Sequence, residues 1–384
     1  MDNFLMMAST ISMIDQFNME NIRILQKMGY RVVVAANFHT GNTTSDERIA
    51  EFKEILKRQG IPYHHIPVPR NIHSVKKIWE SIIQLRKLQQ KYQFSAVHCH
   101  SPIGGAVCRI AFAKYRKRGV KTIYTAHGFH FFRGASLKNW MFYYTAEYLL
   151  ASVTDVLITI NNEDYGLAQK KMNAGQVFYI PGIGVDHKQE IMSGLERRAL
   201  RTALGVQEDE IMLLSVGELT ANKNHRSTLA AVNLLKDKNI KYLICGRGKL
   251  EEELRREIAD KGLSERVKLL GYRSDIRKIL RAADIFIFPS YREGLSVALM
   301  EAMAAGLPIV CSDIRGNVDL VDGGKGGYLV KPGDIQTWAE RIGDLIDDLD
   351  KRRRFGEYNK EKVLYFSSEK VNQVMKRIYQ ETLV

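Results

Sequence analysis

The stretch Phe288-Pro-Ser-Tyr-Arg-Glu293-Gly294-Leu295-Ser296-Val-Ala-Leu-Met-Glu301 holds the residue types best suited to chemistry. An apolar run that reads as a buried strand stops at Pro289, a loop carries Glu293 and Gly294, and a helical pattern begins near Ser296. The start of a helix offers unpaired backbone N–H groups and the positive end of its dipole, a seat for phosphate. Gly294 lets the backbone approach that anion closely. Carboxylates beside such a seat do not bind phosphate. Their natural partners are neutral hydroxyls of a sugar ring or a ribose, for which they act as acceptors. A capped helix with one exposed glutamate and one on its dipole accounts for the same spacing. In the first half, Val97-His98-Cys99-His100-Ser101 and Thr125-Ala126-His127-Gly128 place histidines where strands are expected to end. Imidazole titrates near neutrality and serves there either as a proton carrier or as structure. His98 is expected to turn away from His100 into the core. Ser9, Thr10 and Ser12, after the first strand, offer hydroxyl and backbone donors on the same side.

Other chemistries find less support. Gly246-Arg247-Gly248 lacks the third glycine of a dinucleotide fingerprint, and no GxxxxGK[ST] phosphate loop occurs. The four cysteines, Cys99, Cys108, Cys245 and Cys311, form no Cys-x-x-Cys pair and sit in apolar stretches. They read as small buried hydrophobes of a reducing compartment. No metal site and no cofactor is expected.

These residues need rigid elements behind them. The chain has 384 residues, of which 45% are hydrophobic and 26% charged, a mix that excludes a disordered protein. Short apolar runs alternate with longer amphipathic ones, the pattern of α/β architecture with parallel sheets and helical crossovers. Strands are expected at 4–8, 32–36, 63–67, 96–98, 120–125, 156–160 and 177–180. A second set falls at 211–216, 241–245, 267–270, 285–288, 309–311 and 327–330. Helices are expected at 47–58, 75–93, 137–151, 335–349 and 368–379. Ile180-Pro-Gly-Ile-Gly184 breaks the pattern and marks a boundary. The reading is two doubly wound, Rossmann-like domains, 1–184 and 185–365, with a final helix in 366–384 packing back on the first. Open parallel sheets bind ligands at the carboxyl ends of their strands, so an interdomain cleft is the expected site.

The spacing Glu293-x7-Glu301, followed by Ala302-Met-Ala-Ala-Gly-Leu-Pro-Ile-Val and Ser312-Asp-x-x-Gly316, resembles the donor site of glycosyltransferase family 4, retaining enzymes of GT-B architecture. Gly217-Glu218-Leu-Thr-Ala-Asn-Lys223-Asn-His, Gly246-Arg247-Gly248, Gly271-Tyr-Arg273-Ser-Asp275 and Gly323-Gly-Lys-Gly-Gly327 follow the same resemblance in order. It implies that Glu301 binds ribose hydroxyls. Glu293 would contact the donor sugar, with the N–H groups of Gly294, Leu295 and Ser296. Lys223 would neutralise the diphosphate, where a fixed cation stabilises the charge of the leaving group. Many relatives carry arginine where this chain has Glu218, and Asn224, Arg247 or Arg273 would have to substitute. His127 is implied near the reacting centre, with Ser12 and His100 on the acceptor side. Met13-Ile-Asp-Gln-Phe-Asn-Met-Glu-Asn21 and Ala126-His-Gly-Phe-His-Phe-Phe-Arg133 resemble bacterial exopolysaccharide and capsule glycosyltransferases.

The charge supports a particular setting. Residues 1–184 carry a balance of +11 and the remainder +3 out of a net +14, so an anionic partner is expected for the first half. Lys114-Tyr-Arg-Lys-Arg118 and the lysines and arginine at 76, 77, 86, 87 and 91 suit an anionic membrane surface, although charge runs are also ordinary solvated faces. No nucleic acid is expected, because aromatic platforms and reader motifs are missing. No signal peptide or spanning segment is read, so a cytoplasmic protein, peripheral at the inner face of the membrane, is expected. The expected reaction moves a hexose or N-acetylhexosamine from a nucleotide sugar, UDP-linked in the leading reading, to a lipid-linked saccharide. The alternatives are a UDP-sugar epimerase of the same architecture and a non-catalytic nucleotide-sugar-binding subunit.

Overall fold

A computed structural model of the chain describes residues 1–188 and 192–383. They form two compact units, Met1–Ile183 with Val371–Val384, and Gly184–Lys370. The first is built on seven strands: β1 (Asn3–Thr10), β2 (Arg31–Asn37), β3 (Tyr63–His65), β4 (Phe94–His100), β5 (Lys121–Ala126), β6 (Val156–Thr159) and β7 (Gln176–Tyr179). They lie in the order β3-β2-β1-β4-β5-β6-β7, and every pairing is parallel. The second unit holds β8 (Ile211–Val216), β9 (Ile240–Cys245), β10 (Val267–Gly271), β11 (Ile285–Phe288), β12 (Ile309–Ser312) and β13 (Gly327–Val330). Their order is β10-β9-β8-β11-β12-β13, again all parallel.

Crossover helices cover both faces of such sheets, so the central strands must be apolar throughout rather than alternating. Phe4, Leu5, Met6 and Met7 of β1 are all fully buried, as are Phe286 and Ile287 of β11. The first core gathers Phe94, Phe112, Tyr124 and Phe131, and the second Tyr242, Trp338 and Phe355. All four cysteines are buried and free.

The strand order reverses between β1 and β4 in one sheet and between β8 and β11 in the other. Helices that leave neighbouring strands in opposite directions open a crevice at those strands' carboxyl ends. Residues following β1 and β4, and those following β8 and β11, are thereby fixed as the candidate site regions.

Two sequence expectations need revision. The helix expected at 137–151 is interrupted by a wide π turn at Trp140–Tyr144, between Leu137–Asn139 and Thr145–Ala151. His98 is fully buried, but it does not turn away from His100. Alternate residues of a strand share one face, and the two rings lie 4.2 Å apart between centroids.

Candidate active site

In the second unit, the turn after β8 is strapped to the loop after β11. Asn224 stands in the left-handed region at φ 53°, and its amide donates to the Pro289 carbonyl at 3.0 Å. The Asn222 amide donates to the Arg292 carbonyl at 3.0 Å, and the Tyr291 N–H donates to the Asn222 carbonyl at 2.8 Å. This lacing brings Lys223 Nζ to 2.7 Å from Glu293 Oε1 and to 4.8 Å from the centre of the Phe288 ring. The lysine is one-fifth exposed and the glutamate rather less, so the pair is shielded without being sealed.

Ser296 caps the helix Val297–Ala304, its hydroxyl accepting from the Leu299 N–H. Among the described residues, the N–H groups of Gly294, Leu295 and Ser296 donate to no protein acceptor. Three free donors before a helix start, on the loop whose Glu293 pairs with Lys223, are suited to an anion. Glu301, one turn into the helix, makes no hydrogen bond or ion pair among the described residues. Burial raises its pKa above the usual 4.5, and the charge of Arg277 opposes that rise. A half-buried carboxylate without a partner can accept from paired hydroxyls.

Two residues to which the sequence analysis gave no role hold this loop. Arg315, buried, donates from Nε and Nη2 to the Glu293 carbonyl at 3.3 and 3.2 Å. Gly316 adopts φ 82°, and a Cβ there would collide with the Gly294 carbonyl. Both lie within the Ser312–Gly316 motif, so the resemblance pointed at the segment without giving its task. Arg247 is exposed, while its backbone carbonyl accepts from the Leu219 N–H at 3.0 Å. Arg273 is held in a bidentate pair with Asp275 at 2.8 and 2.7 Å. Glu218 is exposed.

In the first unit, His100 Nδ1 lies 3.1 Å from His127 Nε2, across the ends of β4 and β5. Burial keeps both rings neutral: it takes His127 down to about 4 and His100 well below its usual value, where His98 and His127 add to the effect. His98 bonds Thr125 Oγ1 at 2.8 Å and Tyr379 Oη at 2.7 Å, tying the C-terminal helix Ser368–Leu383 to this sheet. Asp164, fully buried, accepts from the Phe129 N–H at 2.9 Å and fixes the loop after His127. Ser12 is buried, its hydroxyl bonded to Thr10 and to the Thr43 N–H at 3.3 Å, so it holds the 40–43 loop. Ser9 Oγ meets Ser101 Oγ at 2.5 Å, where Ser101 is held at φ 68°.

Residues 196–362 match the family Glycosyl transferases group 1, and residues 15–181 match the Glycosyl transferase 4-like domain. EpsD of Bacillus subtilis (strain 168) is 34% identical over 368 residues, covering 94% of this chain and 92% of that protein. The chain is a group 1 glycosyltransferase. The enzyme is also similar to the UDP-Gal:alpha-D-GlcNAc-diphosphoundecaprenol alpha-1,3-galactosyltransferase of Escherichia coli, at 32% identity over 288 residues and 73% of each chain. Among solved structures, Anabaena HepE in complex with UDP and glucose superposes with a TM-score of 0.79, at 21% identity, over 99% of this chain and 100% of that one. The two Rossmann-like units of this glycosyltransferase are thus GT-B. Among the described residues no three His, Cys, Asp or Glu side chains gather as a metal site, and no helix is long and apolar enough to cross a membrane.

Proposed function

We propose that the enzyme transfers a hexose or N-acetylhexosamine, with retention, from a UDP-sugar to a lipid-linked saccharide in exopolysaccharide or capsule assembly. The observation that carries the donor half is the cluster at the switch between β8 and β11. It comprises three unpaired N–H groups before one helix start, Lys223 paired with Glu293 of the same loop, and two carboxylates suited to hydroxyls. In this reading the diphosphate sits against Gly294, Leu295 and Ser296, the ribose on Glu301, and the donor sugar on Glu293. Lys223 moves from Glu293 toward the phosphates as charge builds on the departing UDP, which is where a fixed cation lowers the barrier.

His127 positions rather than deprotonates. A ring whose pKa lies near 4 is a poor base at neutral pH but a good neutral hydrogen-bonding group for a sugar hydroxyl. His100 fixes its orientation. The acceptor oxygen then bonds the anomeric carbon on the same face from which the C1–O bond to the diphosphate breaks, its proton passing to the departing phosphate oxygen, and attack on that face preserves the anomeric configuration. Arg247 and Arg273 line the donor loops, and Ser12 supports the acceptor side through the 40–43 loop.

The acceptor half rests on two likenesses. One is the Escherichia coli relative, a galactosyltransferase acting on alpha-D-GlcNAc-diphosphoundecaprenol. The other is the likeness of Met13–Asn21 and Ala126–Arg133 to exopolysaccharide and capsule enzymes. The basic first half suits attachment at the cytoplasmic face of an anionic membrane. The test is UDP release by the purified enzyme across a panel of UDP-sugars, with and without bacterial lipid extract, and NMR of the product anomer. Lipid-dependent turnover with one donor is expected. Absence of UDP release with every donor and extract would reject the reading.

A further inference from the structure

Residues 137–149 carry a cluster of exposed large apolar side chains in the first unit. Leu137 is 87% exposed, Leu149 63%, and Met141 and Phe142 61% each. This is not a loose segment. The opposite side of the helix packs Trp140, Tyr143 and Tyr144 onto the core. Glu147 is clamped by Arg109 at 2.8 Å and by the Tyr124 hydroxyl at 3.0 Å. The anchored side fixes the apolar side outward. The helix Val75–Tyr92 repeats the arrangement with Val75, Trp79 and Ile83 exposed four residues apart, after an exposed Ile72. Helix Pro102–Arg116 lies between the two and touches both.

Charge selects the occupant. From Glu80 to Glu147 the chain contains no acidic residue, yet that interval carries 11 lysines and arginines. Glu147 itself is spent on Arg109. An apolar, aromatic-bearing face with more cations than acids around it, the acids being Glu80 beside Trp79 and Glu163 near Trp140, complements an anionic bilayer, with hydrocarbon below and phosphates around it. A crossover helix begins at the carboxyl end of the strand it follows, so Val75–Trp79 and Leu137–Phe142 lie at the end of the sheet that carries His100 and His127.

We infer that the first turns of these two helices insert into an anionic lipid surface, with Met141 and Phe142 entering the acyl region. This deepens the lipid-linked-acceptor reading and rests on it for purpose: insertion brings the His127 end of the sheet to the membrane, where the acceptor saccharide emerges.

The test is flotation of the full chain with phosphatidylcholine vesicles, with and without phosphatidylglycerol. Wild type is expected to float with the anionic vesicles and to keep part of that binding near 1 M salt, where the screening length falls to about 3 Å. The double variant Met141→Asp/Phe142→Asp is expected to lose about tenfold or more in partitioning, while its UDP affinity in solution stays that of wild type. A second measurement does not depend on that variant folding. Phe142→Cys carries an environment-sensitive dye, because the four natural cysteines are buried, and its emission should shift to the blue on anionic vesicles. Equal flotation of the double variant, or an unshifted dye on floated protein, overturns the inference. So does wild-type self-association that the double variant abolishes without vesicle binding, since the face would then meet a second copy. Loss of UDP binding by wild type would reject the donor reading and leave the flotation result standing.

Discussion

The Lys223–Glu293 pair allows the diphosphate role to be tested by the sign of an effect. With Nζ and Oε1 at 2.7 Å, the free enzyme holds the lysine against a carboxylate, and a diphosphate must compete for it. Replacing Lys223 by Met removes a hydrogen-bonding cation worth about 1.5–3 kcal/mol to an anionic ligand. UDP should bind about 10- to 100-fold more weakly. Because the leaving group gains charge in the transition state, the turnover rate should fall by about 100- to 1,000-fold. Replacing Glu293 by Gln does the reverse to UDP. It removes a like charge beside the proposed phosphate seat, worth about 1 kcal/mol for charges about 6 Å apart at a dielectric between protein and water. UDP should then bind as well as in wild type or about fivefold more tightly, although transfer drops because a neutral amide with one accepting oxygen replaces the charged carboxylate that the sugar hydroxyls meet. Calorimetric titration with UDP, alongside UDP-release kinetics, reads both numbers, and thermal melting checks that each variant folds. If both substitutions weaken UDP by the same factor, the pair is a staple between two loops rather than a ligand site, and the donor assignment fails.

Glu301 should make UDP binding depend on pH. Its folded pKa lies above 4.5 through burial, so as pH falls the carboxylate is lost earlier than an ordinary one. Affinity should decline from above that value, whereas Glu301→Gln should bind about tenfold more weakly with a flat profile; coincident profiles would remove it from the ribose. His98, taken down to about 3 by burial, with His127 adding to the effect, should set an acid limit on stability. Its folded pKa is depressed below 6.5, so the unfolded chain binds the extra proton. The contribution is complete above about pH 6.5 and shrinks as pH falls, by about 3 kcal/mol near pH 4. Melting temperature should fall over that window, and less so in His98→Gln. Gly316→Ala, at φ 82° and against the Gly294 carbonyl, should cost about 1–2 kcal/mol of strain and also UDP affinity. Gly324→Ala, at φ 78° with open space around it, should show the strain alone; equal UDP losses in both would refute the displacement of Gly294.

The sheets were legible because parallel strands buried on both faces must be short apolar runs, and each expected run became a strand. The motif Glu293-x7-Glu301 was legible because a strand end, a loop and a helix start are local. What escaped was either a matter of direction or of distant partners. The placing of His98 failed on strand periodicity, which puts residues two apart on one face. Arg315 donates to a carbonyl 22 positions back in sequence, and Asp164 accepts from an amide 35 positions back. Neither has a local spacing that announces its partner. The π turn at Trp140–Tyr144 escaped because its apolar content fits an ordinary helix as well.

Glu218 finds its meaning in the same geometry. Where the resemblance leads one to expect an arginine, this chain has an exposed acid, and Arg273 does not simply replace it because Asp275 already holds its guanidinium by two bonds. Arg315 is committed to the Glu293 carbonyl. In the proposed donor site the positive charge for a diphosphate therefore comes mainly from Lys223 and from backbone N–H groups, with exposed Arg247 on the adjoining loop. Backbone donors cannot be lost by changing a side chain, and they carry no mobile charge to be screened. A site of this composition demands that Gly294 to Ser296 stay in place, and four separate contacts do that work: Arg315 on the Glu293 carbonyl, Gly316 beneath Gly294, Asn222 on Arg292 and Asn224 on Pro289.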